Sequence, residues 1–460
     1  MKFVLKNVGV IKQAEFSLGE LTIICGSNNT GKTYATYTLY GFLFYWHNFS
    51  IEVDKKCIQH LLNDGTAEID IQEYVDAAQS ILDNWCKFYS KQLPVVFAAN
   101  EKYFSEASFS IILDKDDIKP MREFHRNIVT SKSSIFRISK DAGSSVVTIS
   151  LLIETDKFKI LAEAVKDAIG YALKEIIFDG LFPNPFISSA ERTGAAIFRK
   201  ELNFARNRIL EEISSREKNV DPLMLLKKAY SDYALPVKSN VEFTRQLEEH
   251  AKKESFIAKD YPKILNAFAD IIGGSYTVTR NDELYYTPNG GKRVKLTMDE
   301  SSSSVRSLLD VGFYLRHTAR RGDLFMVDEP EMNLHPENQR RMVRLLAKLV
   351  NIGINVFITT HSDYIIKELN TLIMLHQGGE RLDKLAKREH YDDLEKMDPR
   401  KLKVYIAEDF HVLCDGNTRK RKCPTLVEAK IDESYGIEAR SFDKTIEDMN
   451  RIQDEIIWGE

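Results

Sequence analysis

Eight consecutive residues, Gly26-Ser-Asn-Asn-Thr-Gly-Lys-Thr33, restrict this chain more than any other stretch. A short apolar run, Leu21-Thr-Ile-Ile-Cys25, precedes them, and a helix-like segment runs from Lys32 to about Phe44. A β-branched apolar run of that length reads as a buried strand of a parallel sheet. Gly26 and Gly31 let the backbone turn sharply, so that main-chain N–H groups face one point. The helix N-terminus adds partial positive charge there. The spacing G-x-x-x-x-G-K-[ST] between a strand and a helix is a phosphate cradle. Lys32 can reach β- and γ-phosphates, and the Thr33 hydroxyl can ligate Mg²⁺. Ser27, Asn28, Asn29 and Thr30 complete the candidate ATP-binding loop.

A second apolar run, Leu324-Phe-Met-Val327, ends in Asp328-Glu329-Pro330. Ligands of parallel sheets gather at the carboxyl ends of strands, so Asp328 is a candidate magnesium ligand and Glu329 a candidate general base. Taken alone, two acids opening a helix are favoured for electrostatic reasons. The glycine loop elsewhere in the chain tips the reading toward chemistry. His361 follows Ile358-Thr-Thr360 at the next strand end, placed to hydrogen-bond a γ-phosphate oxygen or the attacking water. A lone His at a strand end is more often structural, and here the other two motifs outweigh that.

Asp328 lies 296 positions beyond Lys32 (328 − 32). That is too far for a compact nucleotide fold, so a lobe is inserted. Residues from about 50 to 180 read as mostly helical, with a hairpin over 137–154. Phe186-Ile-Ser188 is a further core strand that runs into Ser189-Ala-Glu-Arg-Thr-Gly194. The stretch to about 270 is again helical, broken at Pro222 and Pro236, which limits it to a modest helical hairpin. Strand chemistry returns over 275–298, with Asn289-Gly as a turn signal. Ser301 to Ser304 open a helix-like stretch to about Arg320. Strand, helix and strand over 324–360 imply a parallel crossover.

With 460 residues, 43% of them hydrophobic and 29% charged, the composition is that of a globular chain. The net charge of −4 does not argue for nucleic acid. Five cysteines without a framework spacing suit a reducing cytosol. The N-terminus has no leader-like apolar core, and its longest apolar run, Gly41–Trp46, is too short to span a bilayer. A soluble, cytoplasmic chain without a membrane partner is expected. His411, Cys414 and Cys423 lack a fourth ligand at zinc spacing and read as ordinary residues. The basic run Arg419–Lys422 reads as a solvated turn.

In order, GSNNTGKT, SSSSVRSLL, FMVDEPEMNLHP and ITTHSDY resemble the ABC/SMC superfamily of ATPases. The combination looks most like prokaryotic AAA-type ATPases of the overcoming-lysogenization-defect group and their relatives in anti-phage systems of the Septu, retron-associated and PARIS types. The resemblance covers about residues 1–45, 186–194 and 275–375. It implies an α/β fold: an ABC-type P-loop nucleotide-binding domain, with a mixed sheet and flanking helices, carrying a large, mostly helical inserted lobe. The expected partition is 1–48 (phosphate loop), 49–180 (inserted helical lobe with a β-hairpin), 181–195 (core strand and loop), 196–274 (inserted helical segment), 275–380 (second half of the ATPase domain) and 381–460 (C-terminal α/β extension).

Residue by residue, the resemblance makes Gly26 to Thr33 the Walker A loop. It makes Asp328 and Glu329 the Walker B acid and catalytic base, and His361 the switch histidine. Asn333-Leu-His-Pro336 becomes the loop that touches a partner subunit. Ser302 and Ser303 lie in the signature segment, which binds the γ-phosphate of ATP held by another copy. The usual Gly-Gly-Gln is missing, so which serine binds stays open. A clear glutamine loop is also missing, and Glu191 and Arg192 take its place. The implied cofactors are ATP and Mg²⁺. The implied partners are a second copy of the chain and a separate effector, a nuclease or toxin. A nuclease or repair ATPase acting directly on DNA is the first alternative, with Glu408-Asp409 as a weak metal candidate. A transporter subunit and a non-hydrolysing ATP sensor are the others.

Overall fold

The computed structural model describes residues 1–114, 116–129, 134–152, 162–199, 233–279, 283–291, 294–412, 420–438 and 440–459. Cys414, Arg419 and most of the expected 196–274 helical segment's first half lie outside them.

Six strands make the central sheet: β1 (Leu21–Cys25), β2 (Pro185–Ser188), β3 (Leu324–Asp328), β4 (Asn355–Thr360), β5 (Leu402–Val412) and β6 (Arg421–Glu428). Their order is β6-β5-β1-β4-β3-β2. Neighbours from β5 to β2 are parallel, and β6 runs antiparallel on the edge. The sheet is therefore mixed, and the fold is α/β. Every residue of β1 and β3 is buried, which explains their unbroken apolar runs. The helices that carry the site are α1 (Lys32–Trp46), α2 (Arg192–Ile197), α3 (Ser303–Ser307), α4 (Pro336–Asn351) and α5 (Asp363–His376). The apolar sides of α4 and α5, among them Leu345, Leu346, Leu349, Ile365, Leu369 and Leu372, join the sheet in one core.

Register places the functional edge. Val327 pairs with Ser188, Asp328 with Thr359, Thr360 with Cys25, and Cys25 with Ile406. Strands β1 to β4 thus end nearly level, while β5 continues to Val412. The residues that follow, Ser189, Glu329, His361 and Gly26, leave the sheet along one edge. The segment after residue 380 adds β5 and β6 to this same sheet.

The chain divides into two compact units. One comprises residues 5–41, 92–108 and 184–460 and holds the central sheet. The other comprises residues 1–4, 42–91 and 109–183. Its hairpin, Ser134–Lys140 with Val146–Leu151, is where the sequence places one. Thr66–Asp70 and Phe124–Val129 widen that hairpin to a four-stranded antiparallel sheet. Thr66–Asp70 alternates buried and exposed residues, and Phe124–Val129 alternates exposed residues with buried or half-buried ones, a period of two too short to stand out beside helical neighbours. An aromatic cluster fills this unit, with Trp46 against Phe182 at 4.4 Å and Phe49 stacked on Trp85 at 5.5 Å between ring centres.

The helix-like stretch 303–320 is three short pieces rather than one helix: α3, Leu309–Phe313 and a π-turn over Tyr314–Thr318. Leu308, at φ −111°, ends the first piece. The Tyr276 hydroxyl donates to the carbonyl of Val305 at 2.5 Å, just before this break.

Candidate functional site

Gly26 and Gly31 are required by both angle and space. Their φ values are +142° and +101°, a region that side chains avoid. A Cβ on Gly26 would stand 2.6 Å from the Ala407 carbonyl oxygen, and one on Gly31 would stand 2.7 Å from Ile11 Cγ1. Asn29 is also left-handed, at φ +62°. The loop between them delivers Lys32 as the first residue of α1. Lys32 is 6% exposed, and its Nζ donates to the carbonyls of Gly26 at 3.0 Å and Ser27 at 2.8 Å. Burial pulls the Lys32 ammonium below its ordinary value, while Glu329, Asp328 and Glu331 oppose that shift.

A cavity of about 670 Å³ opens over this loop, lined by Val10, Asn28 to Tyr34, Glu329 and His361. Lys32, Thr33, Glu329 and His361 come from three segments far apart in sequence and meet there. Ser27 and Gly26 form the loop below. Asp328 is 1% exposed at the end of β3. Its Oδ1 accepts from the Thr359 hydroxyl, while its Oδ2 is buried without a partner. Burial pushes this carboxyl up to about 6. A buried carboxylate oxygen left without a donor suits a cation. The donor set thus fits Mg²⁺, which keeps most of its shell for phosphate and water.

Glu329 sits at φ +52°, left-handed for a residue with a side chain. Its N–H donates to the Thr359 carbonyl and hydroxyl, both at 3.2 Å. His361 Nδ1 lies 3.5 Å from carboxylate oxygens of both Glu329 and Glu331. Glu331 is buried and accepts from the Thr360 hydroxyl at 2.8 Å and the His361 N–H at 2.9 Å. It braces the histidine from below. Glu331 is not among the sequence-derived candidates, although its position two residues after Glu329 on a tight turn is a usable signal.

Ser302 caps α3 and is exposed, whereas Ser303 opens the helix and is exposed as well. Neither lines the cavity, so within one chain the structure does not bring these serines to the phosphate loop. His335 caps α4 ahead of Pro336, and Asn333 is left-handed at φ +61°. Glu408 and Asp409 lie within β5, paired with Thr425 and Pro424. Among the described residues no cluster of three or more His, Cys, Asp or Glu is arranged to hold a metal ion, and no helix is long and apolar enough to cross a membrane.

A family model described as an AAA ATPase domain matches residues 1–366. No curated protein matches the sequence. Among solved structures, the chain is similar to an Smc head bound to the C-terminal winged-helix domain of ScpA, at 11% identity and TM-score 0.33, over 93% of this chain and 97% of that one. It is also similar to an Smc head domain with an extended coiled coil, bound to the C-terminal domain of ScpA, from Pyrococcus furiosus. That likeness has 13% identity and TM-score 0.31 over 98% of each chain. The SMC head domain from Thermotoga maritima aligns at 10% identity and TM-score 0.30, over 94% of this chain and 98% of that one.

Proposed function

The chain belongs to the AAA ATPase domain family, and from that premise we propose that it binds ATP with Mg²⁺ over the Gly26–Thr33 loop and hydrolyses it as a switch. The observation that carries this reading is the meeting of Lys32, Thr33, Glu329 and His361 around one cavity, beside a buried carboxylate oxygen without a partner. The N–H groups of the loop and the Lys32 ammonium grip the β- and γ-phosphates. Thr33 and Asp328 hold Mg²⁺, which when bound neutralises charge on the phosphate oxygens. Glu329 accepts the proton of the attacking water. His361, steadied by Glu331, donates to the γ-phosphate or orients that water.

The exposed Ser302 and Ser303 serve the site of a second copy. ATP then joins two chains face to face, and loss of the γ-phosphate releases them. In its finer form the reading makes this cycle the control of a separate effector, a nuclease or toxin, in defence against phage. The resemblance of DEPE-x-NLHP and ITTHSDY to that group supports the finer form.

Replacing Lys32 by Ala tests the loop: magnesium-dependent ATP affinity should fall at least tenfold, and unchanged affinity would sink the site. Replacing Glu329 by Gln should keep ATP binding, cut turnover about 100-fold or more, and accumulate a dimer visible by light scattering. Normal turnover in that variant refutes the role of Glu329. Metal-dependent DNA cleavage by the pure chain would favour direct action on DNA over control of an effector.

A further inference from the structure

Arg192 follows a core strand and is 2% exposed at the base of the site. Its Nε donates to the Ser307 carbonyl at 2.8 Å. Its Nη1 donates to the carbonyls of Ser189 at 2.9 Å and Asp328 at 2.6 Å, and its Nη2 to that of Glu329 at 2.8 Å. Four main-chain oxygens from three elements therefore converge on one planar group: the end of β2, the end of β3 and the helix α3. Burying a guanidinium is costly unless its donors are satisfied, and here carbonyls satisfy them. Asp310, also buried, adds opposite charge nearby.

Two of those carbonyls matter for chemistry. Glu329 is left-handed, and its peptide is held by Thr359 on the amide side and by Arg192 on the carbonyl side. A strained backbone of this kind persists where its surroundings over-determine it. The third contact reaches α3, whose first turn carries Ser302 and Ser303. Ser307 is fixed in turn by hydroxyl bonds to the carbonyls of Ser304 at 3.1 Å and Met332 at 3.4 Å.

We propose that Arg192 is a positioning residue for hydrolysis: its guanidinium ties the main chain of Glu329 to the serine-bearing helix, so that a displacement of α3 on engaging a second copy's triphosphate is carried to the base. The inference rests on the reading of this cavity as an ATP-hydrolysing site. A lysine cannot replace the tie, because a single ammonium lacks the planar fork that spans three elements.

The test compares Arg192→Lys and the neutral Arg192→Gln with the unaltered chain. It follows steady-state ATP hydrolysis, titration with a fluorescent ATP analogue, and thermal melting. Turnover should fall about 30-fold or more in both variants, with analogue affinity within about threefold, because misplacing a base by an ångström costs rate rather than binding. Added to Glu329→Gln, Arg192→Lys should lower the residual rate less than about threefold further, since both act through one carboxylate. Tyr37→Phe removes the 2.8 Å bond to Glu191 without touching the guanidinium, and should keep turnover within about threefold. Unchanged turnover in Arg192→Lys overturns the proposal. So does a rate loss matched by lost affinity, or an equal loss in Tyr37→Phe, which would place control at Glu191. A chain that binds ATP and never hydrolyses it overturns the functional reading and this inference together. A hydrolysing chain indifferent to Arg192 overturns this inference alone.

Discussion

Replacing Asp328 by Asn separates what this residue costs the fold from what it does in the site. The carboxylate is 1% exposed, its Oδ1 accepts from the Thr359 hydroxyl, and its Oδ2 has no donor. Burial, partly offset by that hydroxyl, moves its pKa from 3.8 up to about 6. A shift of about two units, at ~1.36 kcal/mol each, places about 3 kcal/mol of destabilisation on the ionised form at neutral pH. The amide keeps the acceptor for Thr359 but buries an N–H without an acceptor, which returns about 1–2 kcal/mol. The nucleotide-free variant should therefore be about 1–2 kcal/mol more stable than the native chain and melt roughly 1–3 °C higher. With Mg²⁺ and ATP the order should reverse, because the native chain gains binding energy that a neutral amide at this position cannot supply. Thermal melts with and without Mg–ATP measure both. A variant that melts lower without nucleotide, or that keeps the full magnesium-dependent gain, refutes the reasoning.

Gly31→Ala should weaken binding of a fluorescent ATP analogue at least tenfold and lower melting by roughly 1–4 °C, because its Cβ meets Ile11 at φ +101° and the loop must move or carry strain. The ring of His250 stacks on Phe243, both its nitrogens lack partners, and burial holds its pKa at about 4. Above about pH 6.5 the imidazole is neutral in both folded and unfolded chains and costs nothing, and as pH falls from there toward 4 the unfolded chain takes up the proton first and stability is withdrawn. His250→Phe should therefore lose less melting temperature than the native chain between pH 7.5 and 4.5. Phe325→Ala should cost about 3–5 kcal/mol in chemical denaturation, since the ring is 1% exposed and stacks on Tyr314 at 4.9 Å and Phe186 at 5.8 Å.

The loop, the acid pair, the histidine and the strands β1 to β4 were readable from the chain because each is a short local pattern, whereas β5 and β6, set apart in the expected C-terminal extension, join the same sheet only in the fold. Glycine spacing encodes a backbone turn, and an apolar run ending in Asp328-Glu329 encodes a strand that delivers acids to a sheet edge. The alternating strands Thr66–Asp70 and Phe124–Val129 were not legible, because five or six residues of period two are faint among helices. Nor was the break after α3, where Leu308 leaves the helical region beside a carbonyl that accepts from Tyr276, 29 positions earlier.

Residue order along the chain was thus sufficient to place the glycine loop, the acid pair and the histidine at strand ends, since each depends on its immediate neighbours. It was silent on how they are held. Arg192 reaches carbonyls 115, 136 and 137 positions away, and Glu331 finds Thr360 and His361 at the end of another strand. Such partnerships arise when buried donors and acceptors must be satisfied by whatever folding brings alongside. That accounting is settled by the parallel register of β1, β3 and β4, which no local pattern records.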